Sequence, residues 1–515
     1  MEREVSQGGE APVIQVPQYP RNLSTVVHSV LGVSTNRFHI SPQSATTLTQ
    51  NSRVVFELPS NSVVYLPSLA LMINDVTTSG KADGAGTTTA DLGNLGVIPN
   101  AAALFDRVDV FINGIQVQNT MQEQNTATWL TALLKDNFVR HYTSGVGEGN
   151  QMTTYMTQQA PTTTGEHKAM YYTNIMGMCS ESSCQFLDTS LVGQVRLEFV
   201  CAPNQVLAAI NRSVLSAAPA VVAPTFAIPS LVQTVLGQDG TDVAYEIKNF
   251  HLAVDCISIA DGFYTALQRQ KMIAQKYLTL NIKDYYSLIS NVGTSTSANV
   301  RFSVSSGSID KYWGSFRAAD YNVLPITGEP GMLTKINSSF NSSQGLSTAA
   351  GGLSNSSVDR FNPKWFNFSN FNAGTAFGNF GVTSLVADNI DTFQYAFYNN
   401  NVQYPSQLSN ELEAFNTVTL YNEKQKWSDK GCLITSQANY RNNDFVNMCR
   451  FNLPPSDDQP ETECRWRSGA DSRNVNSSMI YRTQGMDGTN KSAYILVECT
   501  AQIRYSLGKS VARLP

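Results

Sequence analysis

Residues 104–119 read Leu-Phe-Asp-Arg-Val-Asp-Val-Phe-Ile-Asn-Gly-Ile-Gln-Val-Gln-Asn. Val108, Val110 and Ile112 alternate with Arg107, Asp109 and Phe111. After Asn113-Gly114, Ile115 and Val117 alternate with Gln116 and Gln118. Alternation with a period of two places every second side chain on one face of a strand. Asn-Gly between two such runs is a hairpin signal, because both turn positions need positive φ. Ile112 should then face Ile115, and Val110 should face Val117, giving the hairpin one apolar face. Residues 121–140 follow with helical spacing, placing Trp129, Leu130, Leu133, Leu134 and Phe138 on one side.

The same unit recurs about half a chain later. Phe393 to Pro405 reads Phe-Gln-Tyr-Ala-Phe-Tyr-Asn-Asn-Asn-Val-Gln-Tyr-Pro. Asn400-Asn401 replaces Asn113-Gly114, and Asn tolerates positive φ better than most residues. Tyr395 and Phe397 stand where Val108 and Val110 stood; Asn399 breaks the match at Ile112. A helix is expected over 411–427. Long alternating strands at 245–257 and 493–507 close the two halves. Two copies of hairpin-then-helix and two closing strands imply a duplicated domain.

Working outward, short strands are expected at 37–40, 54–58, 63–66, 68–76, 195–200, 276–282 and 300–304. Loops are expected at 77–96, 142–182, 320–363 and 431–480, and a short helix at 263–274. Many short strands with few helices argue for an all-β chain of two tandem jelly-roll β-sandwiches with short helices and long loops. The expected divisions are an N-terminal arm at 1–30, a first roll at 31–260 and a second at 261–515. The segment 203–243 is too apolar for an open loop; Leu231 and Val235 are expected at a subunit interface or in packing between rolls.

Composition narrows the function. Of 515 residues, 42% are hydrophobic and only 15% charged, so uncharged polar residues fill the gap. The net charge of −5 gives no basic surplus for sequence-specific nucleic-acid binding. No apolar run is long enough for a transmembrane segment, and the first residues lack a secretory core. Cytoplasmic or nuclear synthesis without secretion is expected. Sequons such as Asn211 and Asn476 would then go unused. The eight cysteines are scattered without a C-x-x-C pair and should all be free thiols.

The chemical motifs are sparse. The five histidines show no metal-pair spacing. Gly508-Lys509-Ser510 ends like a phosphate loop, but Ile503 stands where the first Gly is needed. Asp457, Asp458, Glu461 and Glu463 lie in a Pro-rich loop that should face water. No catalytic, metal or cofactor site is assigned, and an enzyme is not expected.

In order and spacing, the Val54–Leu58 strand, Val63–Ala70, Phe105–Val110, the Asn113-Gly114 hairpin, Arg301–Asp320, Phe393–Pro405 and the last strand resemble a double jelly-roll major capsid protein of the virophage, polinton-like virus and large DNA virus type. The resemblance implies a homotrimer forming a pseudo-hexameric capsomer in an icosahedral capsid around double-stranded DNA. It also implies neighbouring capsomers, penton and minor capsid or cement proteins as partners, and the virion as location. The rival reading is a virion surface or spike binding protein with a β-sandwich fold. For that reading, Trp365, Phe366 and Phe368 are the candidate ligand aromatics, with core burial as the plainer alternative.

Overall fold

The computed structural model describes residues 33–79, 94–98, 101–118, 121–132, 167–173, 175–211, 244–259, 276–322, 392–415, 445–452, 479–506 and 509–514. It also describes shorter pieces at 270, 273–274, 346–347, 352–353, 364–366, 368–372 and 469–473. The arm, the 212–243 segment with Leu231 and Val235, the greater part of the expected 263–274 helix, Cys432, Cys464 and the acidic loop lie outside the described residues.

The first half carries β1 (Val33–Ile40), β2 (Arg53–Glu57), β3 (Val63–Ser79), β4 (Phe105–Ile112), β5 (Ile115–Gln116), β6 (His167–Thr173), β7 (Val195–Cys201) and β8 (Ala244–Ile259). The second carries β9 (Leu278–Gly293), β10 (Ser297–Phe302), β11 (Ile309–Ala318), β12 (Gln394–Asn399), β13 (Val402–Asn410), β14 (Asn447–Arg450), β15 (Met479–Gln484) and β16 (Lys491–Tyr505). The first half forms sheets ordered β1-β8-β3-β6 and β2-β7-β4-β5. The second forms β9-β16-β11-β14 and β10-β15-β12-β13. Each of these sixteen strands thus has a counterpart in the same place in the other half. All the pairings are antiparallel, and each half packs one sheet on the other as a sandwich.

The cores follow from the alternation. Val108, Val110 and Ile112 are buried with Phe56, Phe199, Leu252 and Val254. Phe250 of one sheet meets Phe56 of the other edge to face, at 6.3 Å between ring centroids. In the second half Tyr312 and Phe316 reach across to Phe397 and Tyr481. Gly314 is needed there, because a Cβ would enter the Tyr481 ring.

Several expectations are corrected. Residues 63–66 and 68–76 belong to one strand, β3. The register of β8 against it shifts between Ala253 and Asp255, so the chain around Pro67 bulges out instead of ending the strand. There the Asp255 N–H donates to Ser68 Oγ at 2.8 Å, and the Ser68 hydroxyl donates to the Tyr65 carbonyl at 2.6 Å. The expected loops at 77–96, 142–182 and 431–480 hold strands: Asn94–Val97 pairs with Ala208–Asn211, β6 pairs with β3, and β14 with β11. Strands β11 and β15 were not anticipated. In β11 both faces are buried, so alternation is absent. Ile115 is 42% exposed, because β5 is a sheet edge and only Ile112 and Val117 of the hairpin tip are enclosed.

Candidate functional site

With no catalytic motif to follow, the place where the halves meet is the part of the molecule with the most built chemistry. After the first hairpin the chain turns at Gln122-Glu123 and enters α1 (Gln124–Ala132). Glu123 takes φ 53°, a left-handed conformation uncommon outside Gly and Asn. That turn drives the Glu123 carboxylate against the second half, where it pairs with the Arg317 guanidinium of β11. Arg317 is 0% exposed. It also donates to the Trp365 carbonyl at 3.1 Å, and its guanidinium lies 3.3 Å from the Tyr321 ring centroid.

Every oxygen of Glu123 is used. The Tyr321 hydroxyl donates to Oε1 at 2.8 Å, and the Thr126 hydroxyl donates to Oε2 at 3.1 Å. The Tyr494 hydroxyl donates to the Glu123 carbonyl at 3.3 Å, and Ser287 Oγ donates to the Gln122 carbonyl at 2.8 Å. A buried charge is tolerable when paired and hydrogen-bonded to this degree. The Glu123 N–H donates to Asp106. Burial, and then the Glu123 charge, push the Asp106 carboxyl up to about 6.

Aromatics close the seam. Trp365 Nε1 donates to Thr126 Oγ1 at 3.1 Å, and Trp129 of α1 stacks on Phe366 with centroids 4.8 Å apart. Trp365, Phe366 and Phe368 are therefore interior residues, and none is placed to receive a ligand at a loop tip.

A second seam runs along β9. Residues 181–183 of the first half lie antiparallel to it, bridging Ser182 to Ile282. The Ser183 N–H donates to the Asn281 carbonyl at 2.7 Å, and the Lys283 N–H donates to the Glu181 carbonyl at 2.9 Å. The Tyr285 hydroxyl donates to Glu181 Oε2 at 2.8 Å. Beside it Glu498 is enclosed; burial would raise its pKa, but Lys311 and Lys283 hold it down to about 2.

The turn residues sit at the hairpin tips: Asn113 and Gly114 have φ 49° and 80°, Asn400 and Asn401 φ 50° and 68°. Asn113 does more than turn. Its Nδ2 donates to the Val192 carbonyl at 2.6 Å and to the Lys509 carbonyl at 2.8 Å, while its Oδ1 accepts the Gln194 N–H at 3.0 Å. Gly193 makes room for that amide, since a Cβ there would collide with it. The first hairpin is thus tied to the last strand region of the second half. Asn400 Oδ1 is buried with no partner among the described residues.

Among the described residues no group of three or more His, Cys, Asp or Glu could hold a metal ion, and no helix is long and apolar enough to cross a membrane. Six described cysteines are free: Cys179, Cys184, Cys201, Cys256, Cys449 and Cys499. Burial pushes the thiols of Cys179, Cys201 and Cys449 up to about 12.

No protein-family model matches this chain, and no curated protein matches it in sequence. Solved structures do match. One is the VP54 protein of the virus PBCV-1, fitted into a reconstruction of the virophage Sputnik: TM-score 0.53, 13% identity, covering 93% of this chain and 96% of that one. A second is the PBCV-1 virus capsid, with TM-score 0.52, 13% identity and the same coverage. At that identity the likeness is one of fold, and the fold is the double jelly roll.

Proposed function

We propose that this chain is a viral major capsid protein whose two rolls act as one rigid tile of an icosahedral shell around double-stranded DNA. The observation that carries the reading is the end-to-end match to a capsid structure, in which nearly all of each chain is aligned. The junction supports it. A tile that must keep two rolls in fixed register gains from a buried, directional ion pair between them, because charges left unpaired by slippage would be costly. A virion spike or lectin-like binder is the weaker reading, since Trp365, Phe366 and Phe368 are enclosed.

Three copies would close a ring of six rolls, the capsomer. Neighbouring capsomers, penton proteins and minor or cement proteins would contact its rim, after synthesis in the host cytoplasm or nucleus. Leu231 and Val235 belong on this reading to the trimer interface or to packing between rolls, the arm at 1–30 to the inner, genome-side face or to contacts between capsomers, and the division between rolls to residues 258–275. Light scattering and negative-stain imaging of purified protein test the function. Trimers with hexagonal outlines are expected; a monodisperse monomer at high concentration would overturn it.

A further inference from the structure

The eight main strands of one roll match those of the other, yet their outer sheet faces are not equally covered. Aligning the closing strands on their shared pattern sets His251-Leu-Ala-Val-Asp-Cys256 against Tyr494-Ile-Leu-Val-Glu-Cys499. Asn36 lies opposite Cys256 as Asp284 lies opposite Cys499. His39, opposite Ala253, then corresponds to Ser287, opposite Leu496. His39 and His251 thus take the places of Ser287 and Tyr494, the two residues that hold the Gln122 and Glu123 carbonyls.

In the first roll that face is open. His39 is exposed and His251 half-buried, with their rings 4.4 Å apart. His251 Nε2 is buried without a hydrogen-bond partner among the described residues. Arg37 and Asp255 flank the pair and bind each other at 2.9 Å.

The matching knob is open at Leu412 and Glu413, while Ser409 and Glu411 are buried and Glu413 also accepts the Asn410 N–H at 3.2 Å. The helix at 411–415 begins at the same distance from Asn400 as α1 does from Asn113, so Ser409 and Asn410 correspond to Gln122 and Glu123. Leu412 and Glu413 then correspond to Asn125 and Thr126, which the junction buries to 2% and 0% exposure. Leu412 is 51% exposed, and Glu413 is exposed beside it. Among the described residues, a socket and a knob that are mated within the chain in one pairing are both unmated in the other.

We propose that a second copy of this chain fills the open socket, seating its 408–413 turn on His39 and His251 as the 121–126 turn seats on Ser287 and Tyr494. Such head-to-tail contacts close into a ring when the rotation allows. Glu413 supplies the acid that faces the imidazoles, and Leu412 the apolar contact. This rests on the capsomer reading, and makes the subunit interface an imitation of the roll junction.

The test is sedimentation of full-length wild type, His39→Glu/His251→Glu, and that double variant with Glu413→Lys added. Wild type should be a trimer. The double variant should be a folded monomer, with far-ultraviolet circular dichroism unchanged and at least tenfold weaker association, and Glu413→Lys should restore trimers. A double variant as trimeric as wild type overturns the proposal. Should the double variant misfold, His39→Cys/Leu412→Cys decides: oxidation of trimers should give covalent dimers and trimers, and uncrosslinked chains overturn the proposal. A monomeric wild type would instead sink the capsomer reading itself.

Discussion

Glu123 and Arg317, 194 residues apart in sequence, form an enclosed ion pair that joins one jelly roll to the other. Removing one partner leaves the other charged and buried, which costs about 3–5 kcal/mol. Arg317→Ala and Glu123→Ala should each lower stability by that amount in denaturant titrations. Because the pair acts between rolls, the loss should split the transition into two steps. Glu123→Gln with Arg317→Met, which removes both charges, should recover much of it. A single-step curve at the wild-type midpoint for Arg317→Ala would show that the pair does not couple the rolls.

Asp106 makes stability depend on pH in an unusual direction. Its folded pKa is about 6 against an ordinary 3.8, so between those values the folded chain binds the extra proton. Its contribution therefore falls as pH rises from about 4 to about 6. Asp106→Asn keeps an acceptor for the Glu123 N–H and removes the charge. It should raise the thermal midpoint at pH 7, and remove the Asp106 contribution that grows in wild type as pH falls from about 6 to about 4.

Glu498 acts in the opposite sense. Held at about 2 against an ordinary 4.5, it stabilises above pH 4.5 and loses that contribution as pH falls toward 2. Glu498→Gln should leave a shallower acid limb in unfolding curves. It should also be less stable at pH 7, where Lys311 loses its carboxylate and Lys283 is left with Asp310.

The two hairpin tips should respond differently to glycine. Asn113→Gly keeps the turn geometry but loses bonds to Val192, Gln194 and Lys509, at about 1 kcal/mol each. Asn400→Gly should be close to neutral, because the Asn400 Oδ1 is unpartnered among the described residues. Gly114 has open space around it, so Gly114→Val should cost about 1–2 kcal/mol from its positive φ alone. Thermal unfolding of the three variants checks the order.

The buried thiols should be silent in the native state. Cys179, Cys201, Cys256, Cys449 and Cys499 should resist alkylation until the chain unfolds. Mass spectrometry after a short native labelling pulse reads this directly; rapid modification of Cys499 would place its strand at the surface.

How much of this was legible in the sequence depended on whether one face or two were buried. Strands β4 and β8 bury one face and alternate, and the Asn-Gly and Asn-Asn turns carry their own geometry. Strand β11 is enclosed on both sides, with Trp313 and Arg317 on one face and Tyr312 and Phe316 on the other, so no period of two survived to mark it. Nothing local to Arg317 marks it as buried, because its partner lies 194 residues away. Glu123 was equally hidden, since nothing in Gln-Glu-Gln announces a left-handed residue. The tandem fold was readable because duplication repeats its local signals; the joint was not, because it consists of contacts made once.

The pairing of β1 with β8, and of β9 with β16, has a kinetic meaning. Each roll binds its first long strand to its last, so neither can close until its final segment has left the ribosome. During translation β3 waits with an unpaired edge for β8, which is some 165 residues behind it. High contact order of this kind folds slowly, and open edges invite pairing with other nascent chains. The first roll has a whole second roll's synthesis time in which to finish, whereas the second must wait for β16. Elongation rate and chaperone supply over the last strand, more than final stability, should therefore set the yield of assembled protein.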